Sequence, residues 1–251
     1  MTELRTVFWD VDGTLADTEM EGHRPAFNAA FAELELPFHW DEALYAQLLA
    51  IPGGIPRVRS YAQQCNRPLS EDQLIAMRDC KRRHYLHRVE QGHVPLRTGV
   101  ERLLQDLHSA GLKQWIVTSS GLASVQALLS AAGEIKNVFS GIVSSDDVAE
   151  GKPSPVGYRL ALVRSGAIAE QALAIEDSAV GLRAAREAGL HCLLTPSPWD
   201  SELADLLPQA AGVVDHFGTA NDPVTVISGP PCREGVVTLE YLQAMLQDRN
   251  R

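Results

Sequence analysis

No apolar run in this chain approaches the roughly 20 residues of a membrane helix, so a spanning segment is not expected. No secretory leader is read either. Met1-Thr2-Glu3-Leu4-Arg5 runs straight into a short strand-like segment, and a cytoplasmic protein without membrane contact is expected. Cysteine is scarce: Cys65, Cys80, Cys192 and Cys232 are widely spaced, with no metal-binding pair among them. Free thiols in a reducing compartment follow. Basic residues are in deficit, 22 Lys and Arg against 32 Asp and Glu, for a net charge of -10. That balance argues against a general nucleic-acid binder, and an anionic ligand must be held by local cations working against the overall field. No Gly-x-Gly-x-x-Gly follows a strand, and no Gly-x-x-x-x-Gly-Lys occurs, so neither nucleotide-binding loop is present. Internal repeats and low-complexity tracts are also missing.

What is present is one dense motif, Val7-Phe8-Trp9-Asp10-Val11-Asp12-Gly13-Thr14. Three apolar residues deliver two carboxylates, one residue apart, into a Gly-Thr turn. Side chains two apart on a strand point the same way, so Asp10 and Asp12 are expected to share one small volume. Two carboxylates so close repel, and a cation must neutralise them or one must keep a proton. The outcomes are a hard metal ion, a nucleophile or a split acid/base pair.

The chain of 251 residues, 45% hydrophobic, has two textures. Residues 4–9 read as a buried strand. Residues 18–90 read as helices (25–34, 41–49, 58–64 and 70–89), interrupted by Ile51-Pro52-Gly53-Gly54-Ile55-Pro56. From Gly99 helices and strands alternate. Helices are expected at 100–110, 122–132, 155–165, 179–188 and 237–247, and strands at 114–117, 138–143, 172–175, 191–194 and 212–214. Residues 221–234, with Gly-Pro-Pro, read as a loop. Such alternation indicates βαβ units on a parallel sheet. The expected organisation is an α/β core of residues 1–16 and 97–222, a helical insert at 17–96 and an extension at 223–251. An insert of this length is far beyond an ordinary βα loop. Leaving just after the first strand, it is expected above the carboxyl ends of the strands, where open α/β sheets bind ligands, and reads as a lid.

Three further segments carry polar groups: Thr118-Ser119-Ser120-Gly121, Glu150-Gly151-Lys152-Pro153-Ser154-Pro155 and Glu176-Asp177-Ser178. Alone, each has a bland reading as a helix cap, a solvated lysine or an acidic helix start. Together, an acidic pair, a hydroxyl run, a lysine before a helix and a second acidic pair resemble the four-part signature of the haloacid dehalogenase (HAD) superfamily. The likeness covers about residues 4–216. It implies a Rossmann-like doubly wound parallel sheet, with a helical cap of the β-phosphoglucomutase-like branch. The implied activity is phosphoryl transfer.

The resemblance also implies roles. Asp10 is the expected nucleophile and Asp12 the acid/base. Lys152, Thr118, Ser119 and Thr14 are expected to hold phosphoryl oxygens. Mg2+ is the implied cofactor, bound by the Asp10 and Asp177 carboxylates and the Asp12 carbonyl, with Glu176 supporting the site.

Within the insert, Gly22-His23-Arg24, Gly53-Gly54 and Arg57, with Gly181-Leu182-Arg183-Ala184-Ala185 of the core, look most like the CbbY-type phosphatases of this family. Those remove the 1-phosphate of xylulose 1,5-bisphosphate. A bisphosphate needs a second cationic pocket, and His23, Arg24, Arg57 and Lys81 are the candidates beside Gly53 and Gly54. A solvated face is the expectation for at least two of Lys81, Arg82 and Arg83. The family's Gly-Gly-Lys-Glu-Arg reads Gly53-Gly54-Ile55-Pro56-Arg57 here, which lacks one lysine and stiffens the loop at Pro56. A β-phosphoglucomutase-type mutase, another sugar-monophosphate phosphatase and a non-catalytic switch module remain as alternatives. A small sugar phosphate is the expected partner, and a monomer the expected state.

Overall fold

The computed structural model describes residues 3–51, 53–197 and 203–247. It falls into two compact units: Met1–Asp17 with Pro95–Arg251, and Thr18–Val94. Strand β1 (Thr6–Trp9) opens the first unit and is buried along its whole length. No helix among the described residues is long and apolar enough to cross a membrane.

The helical unit contains a π-helical turn (Glu19–His23) followed by α1 (Arg24–Glu33), α2 (Glu42–Leu48), α3 (Gly54–Gln64) and α4 (Glu71–Glu90). Local chemistry sets several starts. Asp41 caps α2 by accepting from Leu44 N at 2.8 Å, and Ser70 with Gln73 forms a capping box on α4. The interior is aromatic. Trp40 is fully buried among Phe27, Phe31, Tyr45 and Tyr61, with ring centroids 4.8–5.7 Å away. Asn28 pins the Trp40 backbone from both sides, accepting from its N and donating to its O at 2.8 Å. Pro56 does not stiffen a loop as the sequence suggested, because α3 already begins at Gly54. A proline in a first turn removes an N–H that has no helical partner anyway.

The sheet unit continues with α5 (Val100–Ser109), β2 (Lys113–Val117), α6 (Leu122–Ala131), β3 (Phe139–Val143) and α7 (Val156–Ser165). It goes on through β4 (Ala172–Glu176), α8 (Ala179–Glu187), β5 (His191–Leu194), β6 (Gly212–Val214), β7 (Val226–Ser228) and α9 (Leu239–Met245). The strand order is β3-β2-β1-β4-β5-β6-β7, parallel except for β7. The strand order reverses at β1, which lies between β2 and β4. Trp9 is level with Ile116 on one side and Ile175 on the other. Open α/β sheets bind ligands at such a switch point. A buried polar pair stiffens this centre, with Trp9 Nε1 donating to Gln114 Oε1 at 3.1 Å and Gln114 Nε2 to Leu104 O at 2.9 Å.

Of residues 223–251, expected as a C-terminal extension, the described part to residue 247 belongs to the sheet unit. Within the supposed loop, β7 adds an antiparallel edge strand to β6. Its three residues, set between Pro223 and Gly229-Pro230-Pro231, are too few to show an alternating pattern. Helix α9 buries Tyr241, Leu242 and Met245, and Gln243 Oε1 accepts from Leu4 N at 2.6 Å.

Trp40→Ala is expected to destabilise the helical unit by about 3–5 kcal/mol, the cost of emptying an aromatic core site. Urea unfolding should show an earlier transition for that unit, while the sheet unit keeps its midpoint.

Candidate active site

The site is built at the carboxyl ends of β1, β2 and β4. Just past β1, Asp10 N donates to Ile175 O at 3.0 Å, which holds Asp10 against the end of β4. Lys152, in the loop before α7, reaches this point. Its Nζ lies 2.5 Å from Asp10 Oδ1 and 2.6 Å from Glu176 Oε1. Tyr158, from the first turns of α7, donates its hydroxyl to the same Glu176 oxygen. Lys152, Asp10, Glu176 and Asp177 all have buried side chains.

Asp10 and Asp12 stand near enough for the Asp12 charge to act on Asp10, although strand β1 itself ends at Trp9. The ladder stops at Trp9, and the chain turns through Gly13 (φ 82°), with Gly13 N donating to Ala16 O at 2.8 Å. The Asp12 carboxylate accepts from Ser120 Oγ, whereas the acids grouped with Asp10 are Glu176 and Asp177.

Electrostatics follow from this crowding. Burial, opposed by Lys152 and reinforced by Glu176 and Asp12, pushes Asp10 up to about 7. Burial and the Asp10 and Glu176 charges hold Asp177 well above the usual carboxylate range. Burial works against the Lys152 ammonium, but Asp10 and Glu176 outweigh it and raise its pKa. The three carboxylates offer oxygens within 4.8 Å of one another, and Glu176 Oε2 has no hydrogen-bond partner among the described residues. An all-oxygen, anionic donor set of this kind fits a hard divalent ion such as Mg2+. Two glycines give the acids room. A Cβ on Gly13 would strike the Asp177 carboxylate, and one on Gly181 would strike that of Glu176.

The remaining core candidates lie around this cluster. Thr118 is buried after β2, and its Oγ1 accepts from Ser120 N at 3.0 Å, which shapes the turn. Ser119 Oγ accepts from Lys152 N at 3.4 Å and so ties the two loops. Thr14 is fully buried in the turn, with no hydrogen-bond partner for its Oγ1 among the described residues.

In the helical unit, Lys81 Nζ lies 3.0 Å from His23 Nδ1 and sits over the rings of Phe27 and Tyr85. Burial, then Lys81 and Arg57, push His23 well below the ordinary imidazole value, so it is neutral. Arg57 is buried, donating to Leu48 O (3.0 Å), Ile51 O (3.3 Å) and Tyr45 Oη (3.0 Å). Arg24 pairs with Glu42 at 3.3 Å. Gly53 caps α3 at φ 87°, and Gly54 packs on Phe27. Lys81 is half-buried, while Arg82 and Arg83 are exposed.

Three contributors were not singled out from sequence. Tyr158 falls inside the helix expected at 155–165, with no mark to distinguish it there. Ser120 was one hydroxyl in a run of two serines. Arg97 is the first residue of the expected second core segment, 97–222. It bonds the Gly13 carbonyl as well as Thr195 O and Asp215 O, each at 2.8 Å, and so laces the β1 turn to the ends of β5 and β6. A lone arginine before Thr-Gly carries no sequence mark of that role.

A family model described as haloacid dehalogenase-like hydrolase matches residues 4–189, most of the chain. The chain belongs to that family. It is 39% identical over 231 residues to the plasmid protein CbbY of Cupriavidus necator, covering 88% of this chain and 89% of the relative. A phosphoglycolate phosphatase of Salmonella typhimurium is 30% identical, over 75% of this chain and 80% of the relative. Among solved structures, the D10N mutant of CbbY from Rhodobacter sphaeroides in complex with xylulose-(1,5)bisphosphate superposes with a TM-score of 0.76 at 33% identity. That match covers 85% of this chain and 95% of the other. As a member of this family, the chain is an enzyme, a phosphoric monoester hydrolase.

The charge balance makes two expectations. Lys152→Met leaves three buried acids without their cation and should cost about 3–5 kcal/mol in urea unfolding. Unfolded, Asp10 ionises near 3.8, and in the folded chain only near 7, so its contribution to stability is full below 3.8 and lost as pH rises through about 7. A divalent ion competes with that proton. The rise in unfolding temperature caused by Mg2+ should therefore grow across this window, as calorimetry with and without the ion would show.

Proposed function

We propose that the chain is a Mg2+-dependent phosphatase that hydrolyses a small sugar phosphate through an aspartyl-phosphate on Asp10, with xylulose 1,5-bisphosphate as the substrate. The observation that carries the chemistry is the buried Lys152 ammonium shared by Asp10 and Glu176 beside Asp177. The substrate rests on likeness to CbbY, whose R. sphaeroides D10N mutant was solved in complex with xylulose-(1,5)bisphosphate.

Asp10, Asp177 and the Asp12 carbonyl, supported by Glu176, would hold Mg2+, which would supply positive charge against the phosphoryl oxygens. An Asp10 carboxylate oxygen attacks phosphorus, and the bond from phosphorus to the sugar oxygen breaks. Asp12 gives that oxygen its proton, then takes one from the water that attacks the aspartyl-phosphate. Inorganic phosphate leaves and Asp10 is restored. The Ser120 hydroxyl on Asp12 keeps this acid aimed. Lys152 neutralises the incoming phosphoryl group, since such reactions depend mainly on positioning and charge. Thr118 accepts from Ser120 N through its Oγ1, which leaves its hydroxyl proton to donate to a phosphoryl oxygen, beside the Ser119 backbone and Thr14. Recognition of the second phosphate is assigned to the helical unit, with Lys81 as the cation and neutral His23 as a hydrogen-bonding group. Arg24, Arg57, Gly53 and Gly54 frame them.

Asp10→Asn should lower Mg2+-dependent phosphate release by about a thousandfold or more, the scale of losing a nucleophile. Near-wild-type activity would remove the nucleophile assignment. Asp12→Ala should slow turnover most with poor leaving groups such as sugar alkoxides, and little with an aryl phosphate. In a phosphate-release screen, xylulose 1,5-bisphosphate should exceed glucose 1-phosphate and 2-phosphoglycolate in kcat/KM. Preference for either of those sinks the bisphosphate reading, and a need for bisphosphate priming would identify a mutase.

A further inference from the structure

Among the described residues, two groups of side chains bring metal-ligating atoms within 4.8 Å of one another. One is the acid cluster already described. The other is Glu33, Cys80 and His84, wholly within the helical unit, and the phosphatase reading makes no use of it. Cys80 and His84 stand four apart on α4, a spacing that puts both on one helix face. Glu33 is the last residue of α1, which packs along α4 and so brings its carboxylate to them. Glu33 Oε2 lies 2.8 Å from His84 Nε2.

We propose that Glu33, Cys80 and His84 form a second metal site, for a borderline-soft divalent ion such as Zn2+. The donor set is one thiolate, one imidazole and one carboxylate, the mixture that suits Zn2+ or Co2+ and contrasts with the all-oxygen core cluster. Tetrahedral bonds of about 2.0–2.3 Å set donor atoms roughly 3.3–3.8 Å apart, so three donors already within 4.8 Å of one another need side-chain adjustments of only about an ångström. Charge also balances. The Cys80 thiol gives up its proton to solvent, neutral His84 offers Nε2 with its proton on Nδ1, and the dication is balanced by the Cys80 thiolate and the Glu33 carboxylate. Arg83 is the outer partner. Its guanidinium holds Glu33 Oε1 and approaches Cys80 Sγ at 3.4 Å, which orients both anionic ligands while their two charges outweigh its one. Cys80 is buried, whereas Glu33 and His84 are partly exposed, so the ion enters from solvent and keeps a water as fourth ligand. The site clamps the end of α1 to the middle of α4.

The test is a Co2+ titration of the full chain with excess Mg2+ present, so that the hard ion occupies the acid cluster. A thiolate-to-cobalt charge-transfer band should appear at one equivalent and vanish when Zn2+ is added. Cys80→Ser should abolish the band and Cys65→Ser should leave it intact. Glu33→Gln changes a half-exposed residue without threatening the fold, and should weaken Co2+ binding on the order of tenfold or more, at least the loss typical of an outer-shell partner. Zn2+ should raise the unfolding temperature of the helical unit in the wild type and not in Cys80→Ser. Absence of the band, its survival in Cys80→Ser, or unchanged affinity in Glu33→Gln would each overturn the site.

Discussion

The buried ammonium of Lys152 is the constraint on which the sheet unit's chemistry depends. Asp10, Glu176 and Asp177 could not be packed together at a strand edge without a positive charge among them, because desolvated carboxylates repel and protonate. Lys152 meets two of them directly, and Tyr158 adds a hydroxyl to the shared Glu176 oxygen. One cation among three carboxyl groups leaves an all-oxygen donor set of the kind that fits a hard divalent ion.

That arrangement is a product of topology. Because β1 sits between β2 and β4, residues about 110 to 170 positions apart in sequence emerge beside Asp10. Arg97 and the 2.8 Å bonds it makes to the ends of β5 and β6 hold the turn that follows. The glycines at 13 and 181 let the carboxylates approach where a side chain would collide. The helical unit is organised differently, around an aromatic interior in which Lys81, His23 and Arg57 are lodged against rings rather than arrayed on a solvated face.

Much of this was legible beforehand. The βαβ rhythm from Gly99 onward gave β5 and β6 at their observed bounds, and the motif residues gave Asp10, Lys152, Glu176 and Asp177 as one centre. The failures have physical causes. Strand β7 was too short to carry a period, and Pro56 looked like a loop residue because a first-turn proline and a loop proline share the same local sequence. The hydrogen bond from Ser120 Oγ to Asp12 could not be read from the two-residue spacing of Asp10 and Asp12, because it joins segments far apart in sequence. Tyr158, Ser120 and Arg97 act through single long-range bonds, which leave no periodic or compositional trace.

What the sequence by itself determined is the inventory and its order: a strand running into two acids, a long helical insertion, then alternating elements that must form a parallel sheet. Those follow from local periodicity and turn chemistry, which neighbouring residues specify. Only the tertiary structure decided which carboxylates meet, which oxygen each donor takes, and that Glu33, Cys80 and His84 come together on two packed helices. Those are contacts between distant segments, set by packing and burial rather than by sequence proximity.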